Sequence, residues 1–403
     1  MLGWYDLYRS MGKAAASVGT TSLLSSGLPV NTLEHRSVAE SRPVCASAWP
    51  DFPLALTEGV GARLDHMVFA GLGSAGQAWL ALDTTATSPS WQPRAAFPFA
   101  MRKGAAAAAA DGKVYVFGGC GRSTQARSLH QFDSIACYDP QADCWTELPS
   151  RLPVGMVGAS AAAIGSFIYI FGGYDKLQFD RFFQAYESAA PESRPAIFNA
   201  FMDREAEAFA WNDRIWEFDT REQRWRDLGQ VPHAPNCGSG IIVDGKDVLL
   251  GSGEIKPGLR TASVKHASIQ DGEVIWREEQ DLPATAQPQE GIAGAFSGKC
   301  GIVKILAGGS NFIGARNNYL SGKKHAHQGL SKCWRDEIYV LKSNTWEFAG
   351  RLPQGRAHGL AFEVEQGLLL VGGDTQDGQP CPGTWLLSYE ESTGVRISSN
   401  KLK

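Results

Sequence analysis

One pattern recurs around this chain: an aliphatic or aromatic strand, small residues, an acidic-aromatic strand, then a Trp followed within a few residues by Pro. Paired glycines close the first element at Gly118-Gly119, Gly172-Gly173, Gly308-Gly309 and Gly372-Gly373, with degenerate forms at Gly71-Leu72-Gly73 and Gly251-Ser252-Gly253. A unit of roughly 40–50 residues built from such strands is one blade of a propeller, so the six copies predict an all-β, six-bladed β-propeller. Five closing elements follow, at Trp91 to Pro98, Trp145 to Pro149, Trp225 to Pro232, Trp276 to Pro283 and Trp346 to Pro353. The sixth stands before the first blade, at Trp49 to Pro53. The last blade, from about Gly355, is therefore expected to take its outer strand from the N-terminal segment, which closes the ring and removes an open sheet edge.

The repeats make one domain of a 403-residue chain, because each blade needs its neighbours to bury its faces. The expected division is an N-terminal extension over 1–43, a propeller over 44–390 and a C-terminal tail over 391–403. In the extension, Lys13 precedes a mildly apolar stretch from Ala14 to Val30 that Thr and Ser interrupt, which reads as a weak leader or a disordered start. A net charge of −4 without a basic run argues against nucleic acid or an anionic membrane as partner. None of the eight cysteines forms a CxxC pair, so a zinc ribbon is unsupported. Cys137 and Cys144 flank a hairpin turn, where either a disulfide or buried free thiols would fit.

Runs of very small residues mark the innermost strands, where blades converge: Gly59 to Ala62, Gly104 to Ala110, Gly158 to Ala163, Gly238 to Gly240, Gly291 to Ala295 and Gly359 to Ala361. Poly-Ala alone favours helix, but six equivalent positions outweigh one run. In a four-stranded meander the loop after the paired glycines shares a face with the blade-to-blade connection. Those loops hold nearly all the unusual residues. Blade three gains an insertion over about 174–212, rich in Phe, Tyr and Trp, with Arg204 to Ala210 reading as a short helix; blade five gains a shorter one over about 310–334. The expected role of the first is a lid or rim over one mouth.

The blade-four loop, Gly253-Glu254-Ile255-Lys256-Pro257-Gly258-Leu259-Arg260, sets a carboxylate, an ammonium and a guanidinium beside the axis. Blade five adds Asn311, Arg316, Asn317, Lys323, Lys324, His325 and His327, and the blade connections add Arg102, Lys103, Glu290, Arg356 and His358. A mouth rich in Arg suits a small anion, since Arg forks onto a carboxylate. Glu254 equally fits a loop-stabilising pair with Lys256 or Arg260, and Arg316 and Arg356 equally fit solvated rim positions. His325 and His327 alone make no metal site.

These loops carry a family signature. Gly71-Leu72-Gly73-Ser74-Ala75-Gly76, Gly253 to Thr261, Gly314-Ala315-Arg316-Asn317-Asn318-Tyr319 and Gln354-Gly355-Arg356-Ala357-His358-Gly359 are its most specific stretches. Over about residues 50–390 the chain resembles the bacterial N-acetylneuraminate epimerase (sialic acid mutarotase) family of kelch-repeat propellers. The resemblance implies an isomerase that converts the α anomer of N-acetylneuraminate to the β anomer without a cofactor or metal, in the periplasm. It implies Glu254 as proton acceptor and Arg260 as companion catalytic residue. Arg316, Asn317, Arg356, His358, Arg102 and His327 are the expected substrate-binding residues, and the general acid lies between a water and His327. Gln328, and one Asn of Asn317-Asn318, stand where the family has an acid. Glu254→Gln is expected to abolish most acceleration with little effect on folding. The expected partner is a small sugar acid, with neither nucleic acid nor membrane, and a homodimer is compatible with it. The competing class is a non-catalytic propeller that binds a protein or sugar-acid ligand. A copper-radical oxidase lacks its Tyr, His and Cys set, and a sialidase lacks its Ser-x-Asp-x-Gly-x-Thr-Trp repeats.

Overall fold

The computed structural model describes residues 49–399, apart from 125, 286, 287 and 377. The 1–43 extension, Cys45 and the end of the 391–403 tail lie outside the described residues. Six four-stranded antiparallel sheets form the blades. Their innermost strands are Val60–Leu64, Ala106–Ala110, Ser160–Ile164, Gly240–Asp244, Phe296–Cys300 and Leu360–Val364. Each touches the next, and the last touches the first, so the blades close a circle. The alanine run is a strand as expected, paired in register from Ala106 opposite Phe117 to Ala110 opposite Lys113. Helix propensity loses here because the converging blades leave room only for small side chains. In blade five the small run Gly291 to Ala295 is the connection rather than the inner strand, which begins at Phe296.

The paired glycines have a conformational cause. In four blades both adopt left-handed backbone, with φ of 62–69° at the first and 83–107° at the second. A Cβ on Gly172 would also stand 1.9 Å from the Asn236 carbonyl oxygen. The degenerate copies keep the conformation without the glycine, at Leu72 (φ 61°) and Ser252 (φ 59°).

A second set of left-handed residues surrounds the axis. The residue two positions before each inner strand donates its N–H to the carbonyl of its counterpart in the neighbouring blade: Gly104 to Glu58, Gly158 to Gly104, Gly238 to Gly158, Gly294 to Gly238, His358 to Gly294 and Glu58 to His358, all at 2.8–3.1 Å. This closed cycle of backbone hydrogen bonds surrounds the axis and forms a floor beside the loops.

Ring closure differs from the expectation. The outer strand of the last blade is Gly394–Ser398, paired with Thr384–Glu390, so the stretch read as a tail completes the propeller. A tight turn brings that strand back onto the edge the N-terminal segment was expected to occupy. The N-terminal segment still joins first blade to last, but further in. Phe52 N donates to the Pro382 carbonyl at 2.9 Å, Leu56 N to Cys381 at 3.1 Å, and Gly373 N to Leu56 at 2.6 Å. Trp49, Phe52 and Leu56 are buried in one cluster with Phe362, Leu369 and Leu386 of blade six.

The blade-three insertion forms helices α1 (Lys176–Ser188) and α2 (Arg194–Met202). Asp175 caps α1 by accepting from the Gln178 N–H at 2.7 Å. Phe179, Phe182, Phe183 and Tyr186 recur at helical spacing and are buried against Val157, Tyr174, Trp211 and Cys237. The helix expected at 204–210 is only the single 3-10 turn Glu207–Phe209. A third helix, α3 (Ala315–Leu320), lies in the blade-five insertion. No described helix is long and apolar enough to cross a membrane. Cys137 and Cys144 are free; they oppose Thr146 and Asp139 respectively rather than each other, and only Cys137 is buried.

Candidate active site

The site is built from one position repeated in every blade. The residue after each glycine pair folds beside the blade connection, bridging Lys103 to Cys120, Val157 to Tyr174, Cys237 to Glu254, Ala293 to Ser310 and Ala357 to Asp374. In blade one Ser74 N bonds the Thr57 carbonyl at 3.0 Å. Ser74, Cys120, Tyr174, Glu254, Ser310 and Asp374 therefore encircle the axis above the floor.

Glu254 and Arg260 face each other across a short hairpin, Glu254–Lys256 with Leu259–Arg260. Arg260 Nη1 lies 2.7 Å from Glu254 Oε1, and both side chains are only 3% exposed. The Gly258 N–H donates to Oε1 at 2.8 Å and the Tyr174 hydroxyl donates to Oε2 at 2.7 Å. Charge-assisted bonds from three directions fix the carboxylate's orientation. Gly258 is required at the turn: φ is +84°, and a Cβ there would stand 1.7 Å from His327 Nδ1. Ser252, ahead of Glu254, donates from its hydroxyl to the Thr261 carbonyl at 2.5 Å and accepts from Ile292 N at 2.7 Å, tying both arms of the loop to blade five.

Lys256 does not join this pair. Its ammonium donates to the carbonyls of Met202, Arg204 and Lys324, and lies over the rings of Phe209 and Tyr319 at 5.4 Å. Burial pushes it down to about 8. It therefore ties the blade-three and blade-five insertions to the blade-four loop. Phe201 and Phe209 pack against each other behind it.

A second charged group rings the remaining side. His358 Nδ1 is 2.8 Å from Asp374 Oδ1, and Lys332 Nζ is 3.3 Å from Asp374 Oδ2, all three side chains being buried. Burial alone would raise the Asp374 carboxyl, but His358 and Lys332 outweigh it and hold the group well below the usual carboxylate range. Glu58 and Lys103 pair at 3.5 Å beside them.

The expected binding residues divide. His358 stands at the floor of the site. His327 is buried next to Arg260, with its ring 4.8 Å from Phe312; burial, then His325 and Arg260, keep its imidazole well below the usual range. Arg316 and Asn317 are exposed on α3, which packs beside Leu259–Arg260, and the Arg316 N–H is anchored to Glu290 at 3.0 Å. Arg102 and Arg356 are as buried as Arg260 but have no carboxylate partner among the described residues; their guanidiniums turn to backbone carbonyls instead. Arg102 donates to the Gly118 carbonyl and the Ser134 hydroxyl, each at 3.1 Å. Arg356 donates to the Gly383 carbonyl at 2.8 Å and lies 3.5 Å from the Trp385 ring centroid. Each guanidinium satisfies carbonyls that the glycine turns leave facing inward. The expectation that Glu254→Gln barely affects folding is also revised, because it would leave a buried guanidinium short of its counter-charge. Tyr174, Asp374 and Lys332 escaped the sequence reading, although the first two are legible as the residues directly after a glycine pair.

Comparison with known proteins adds a family. The N-acetylneuraminate epimerase family model matches residues 49–395. The chain is 42% identical over 351 residues to an N-acetylneuraminate epimerase of Brucella melitensis, covering 85% of this chain and 90% of the relative. It is 38% identical over 374 residues to one of Vibrio cholerae, covering 91% and 96%. The solved structure of YjhT superposes with a TM-score of 0.82 at 32% identity, covering 87% of this chain and 99% of that one.

Proposed function

The chain belongs to the N-acetylneuraminate epimerase family and is a carbohydrate isomerase of that activity, and from this premise we propose that Glu254 is the base that opens the sugar ring. The observation that supports this role is the carboxylate at the axis, oriented by Arg260, Tyr174 and the Gly258 N–H. N-acetylneuraminate is a cyclic hemiketal with a carboxylate on its anomeric carbon. Glu254 takes the anomeric hydroxyl proton while an acid protonates the ring oxygen, and the ring opens to the ketone. The carbonyl then turns its other face, and closure reverses both transfers. Positioned proton transfer contributes about 10²–10⁴-fold to such a step. Arg260 stabilises the developing oxyanion and attracts the substrate carboxylate. The chain's own acids and bases suffice, so no redox or electron-sink group has a part in the scheme.

The test is proton NMR of α-N-acetylneuraminate freshly released by a sialidase. Wild-type protein should speed the decay of α signals towards the β-dominated equilibrium, and Glu254→Gln should return it to the buffer rate. Wild-type turnover in that variant would remove Glu254 from the mechanism. A periplasmic location, where sialidase products arrive, completes the proposal; fractionation of the native host that leaves the protein in the cytoplasm would refute it.

A further inference from the structure

The hydrogen-bonded floor contains its own control. Its six residues all have left-handed backbone, with φ between 54° and 72°. Gly104, Gly158, Gly238 and Gly294 hold four of the positions. The two exceptions are neighbours in the cycle, Glu58 (φ 54°) and His358 (φ 57°). A side chain in this conformation is strained, and such strain persists where the surroundings impose it and often where function uses it. Here the fold departs from glycine only to set two titratable groups at the axis.

The placement of the His358 ring is specific. A Cβ on Gly294 would stand 2.2 Å from its Cδ2 and 2.6 Å from its Nε2, so the bare glycine makes room for that edge of the imidazole. The opposite edge meets Asp374 at 2.8 Å. Asp374, held well below the usual carboxylate range by His358 and Lys332, accepts there, so Nδ1 carries a proton and the ring's orientation is set. Asp374 stands at the same position in blade six that Glu254 occupies in blade four. The dyad and Glu254 therefore address the axis from points a third of the ring apart. The other charged groups around His358 are Lys332, the Glu58–Lys103 pair and, further round, Arg260. His327 is a poor acid, since burial, His325 and Arg260 keep its imidazole well below the usual range.

We propose that His358, oriented by Asp374, is the general acid that protonates the ring oxygen while Glu254 takes the anomeric hydroxyl proton. The inference rests on the reading of Glu254 as base. The protons balance: one leaves the hydroxyl for Glu254, one leaves His358 Nε2 for the ring oxygen as its bond to the anomeric carbon breaks, and ring closure returns both.

His358→Gly tests this without sacrificing the fold, because glycine is the residue at four of the six equivalent positions. It should stay folded by circular dichroism, since relief of the left-handed strain offsets part of what Asp374 loses with its partner. Its catalysed anomer exchange should fall by about 10²–10³-fold and recover in part with added imidazole, after subtraction of imidazole's effect in enzyme-free buffer. His358→Asn, which tolerates left-handed backbone and keeps a donor for Asp374, should lose activity alike. Retention of more than about a tenth of the rate by either variant, or a loss that imidazole does not relieve, overturns the assignment. Glu254→Gln run in parallel separates the two claims. An inactive Glu254→Gln beside an active His358→Gly sinks only the acid, whereas activity in both sinks the site.

Discussion

Glu254 shows how one carboxylate can be both structural and chemical. It is buried with Arg260 at 2.7 Å, so removing its charge leaves an uncompensated guanidinium in the interior. Glu254→Gln is expected to lower stability by about 3 kcal/mol, read by urea unfolding, while leaving the protein folded. Tyr174 holds the other oxygen. Tyr174→Phe removes a hydrogen bond to a charged group and should lower stability by about 1.5–3 kcal/mol. It should also slow catalysis less than Glu254→Gln does, because the base remains. A Tyr174→Phe enzyme as stable as wild type would mean that the hydroxyl does not orient the carboxylate. At this scale the sequence was half legible. Glu254, Arg260 and His358 could be named from their loops, whereas Arg102 and Arg356 sit in similar loops yet turn inward to carbonyls. A guanidinium's direction depends on which backbone groups the neighbouring strands leave unpaired, and no local pattern records that.

The elements over the mouth are joined through Lys256. The folded environment pushes its ammonium from 10.5 down to about 8 by burial. Between those two pH values the unfolded chain binds a proton that the folded chain has shed. The Lys256 contribution to stability therefore rises with pH through that window, and the full penalty of burying the charge applies below it. Wild type should gain stability relative to Lys256→Met between pH 8 and 10.5, measured by urea unfolding of both; Lys265, lowered similarly, cancels in the comparison. A difference that stays flat, or falls, would contradict the account. The helices that Lys256 anchors were readable in principle. Phe179, Phe182, Phe183 and Tyr186 have helical spacing behind an Asp cap, a signal that the aromatic richness of the whole insertion hides. Arg204 to Ala210 has good helix formers and makes only one turn, since packing against α1 and the blade-four loop overrides propensity.

At the scale of the whole molecule, blade number and inner strands were legible because the repeat is periodic and the crowding at the axis shows directly as small residues. Ring closure was not, because a Trp-to-Pro element before the first blade looks like a displaced strand although Gly394–Ser398 fills that place. Nor was the floor, whose hydrogen bonds link residues about a blade apart and end by joining Glu58 to His358. The N-terminal link is sharply testable. Leu56 is fully buried and its backbone bonds both Cys381 and Gly373. Leu56→Ala should cost about 2–5 kcal/mol by urea unfolding, and a loss of a few tenths would mean that the segment merely rests on the ring. The account as a whole claims that this ring of loops opens and closes a sugar hemiketal at Glu254. Two-dimensional exchange NMR on N-acetylneuraminate at anomeric equilibrium tests that most directly. Wild-type protein should produce α–β exchange cross-peaks in both directions without altering the α:β ratio, and Glu254→Gln, folded by circular dichroism, should show only the exchange of buffer. Undiminished exchange in Glu254→Gln, or none above buffer in the wild type, would contradict it.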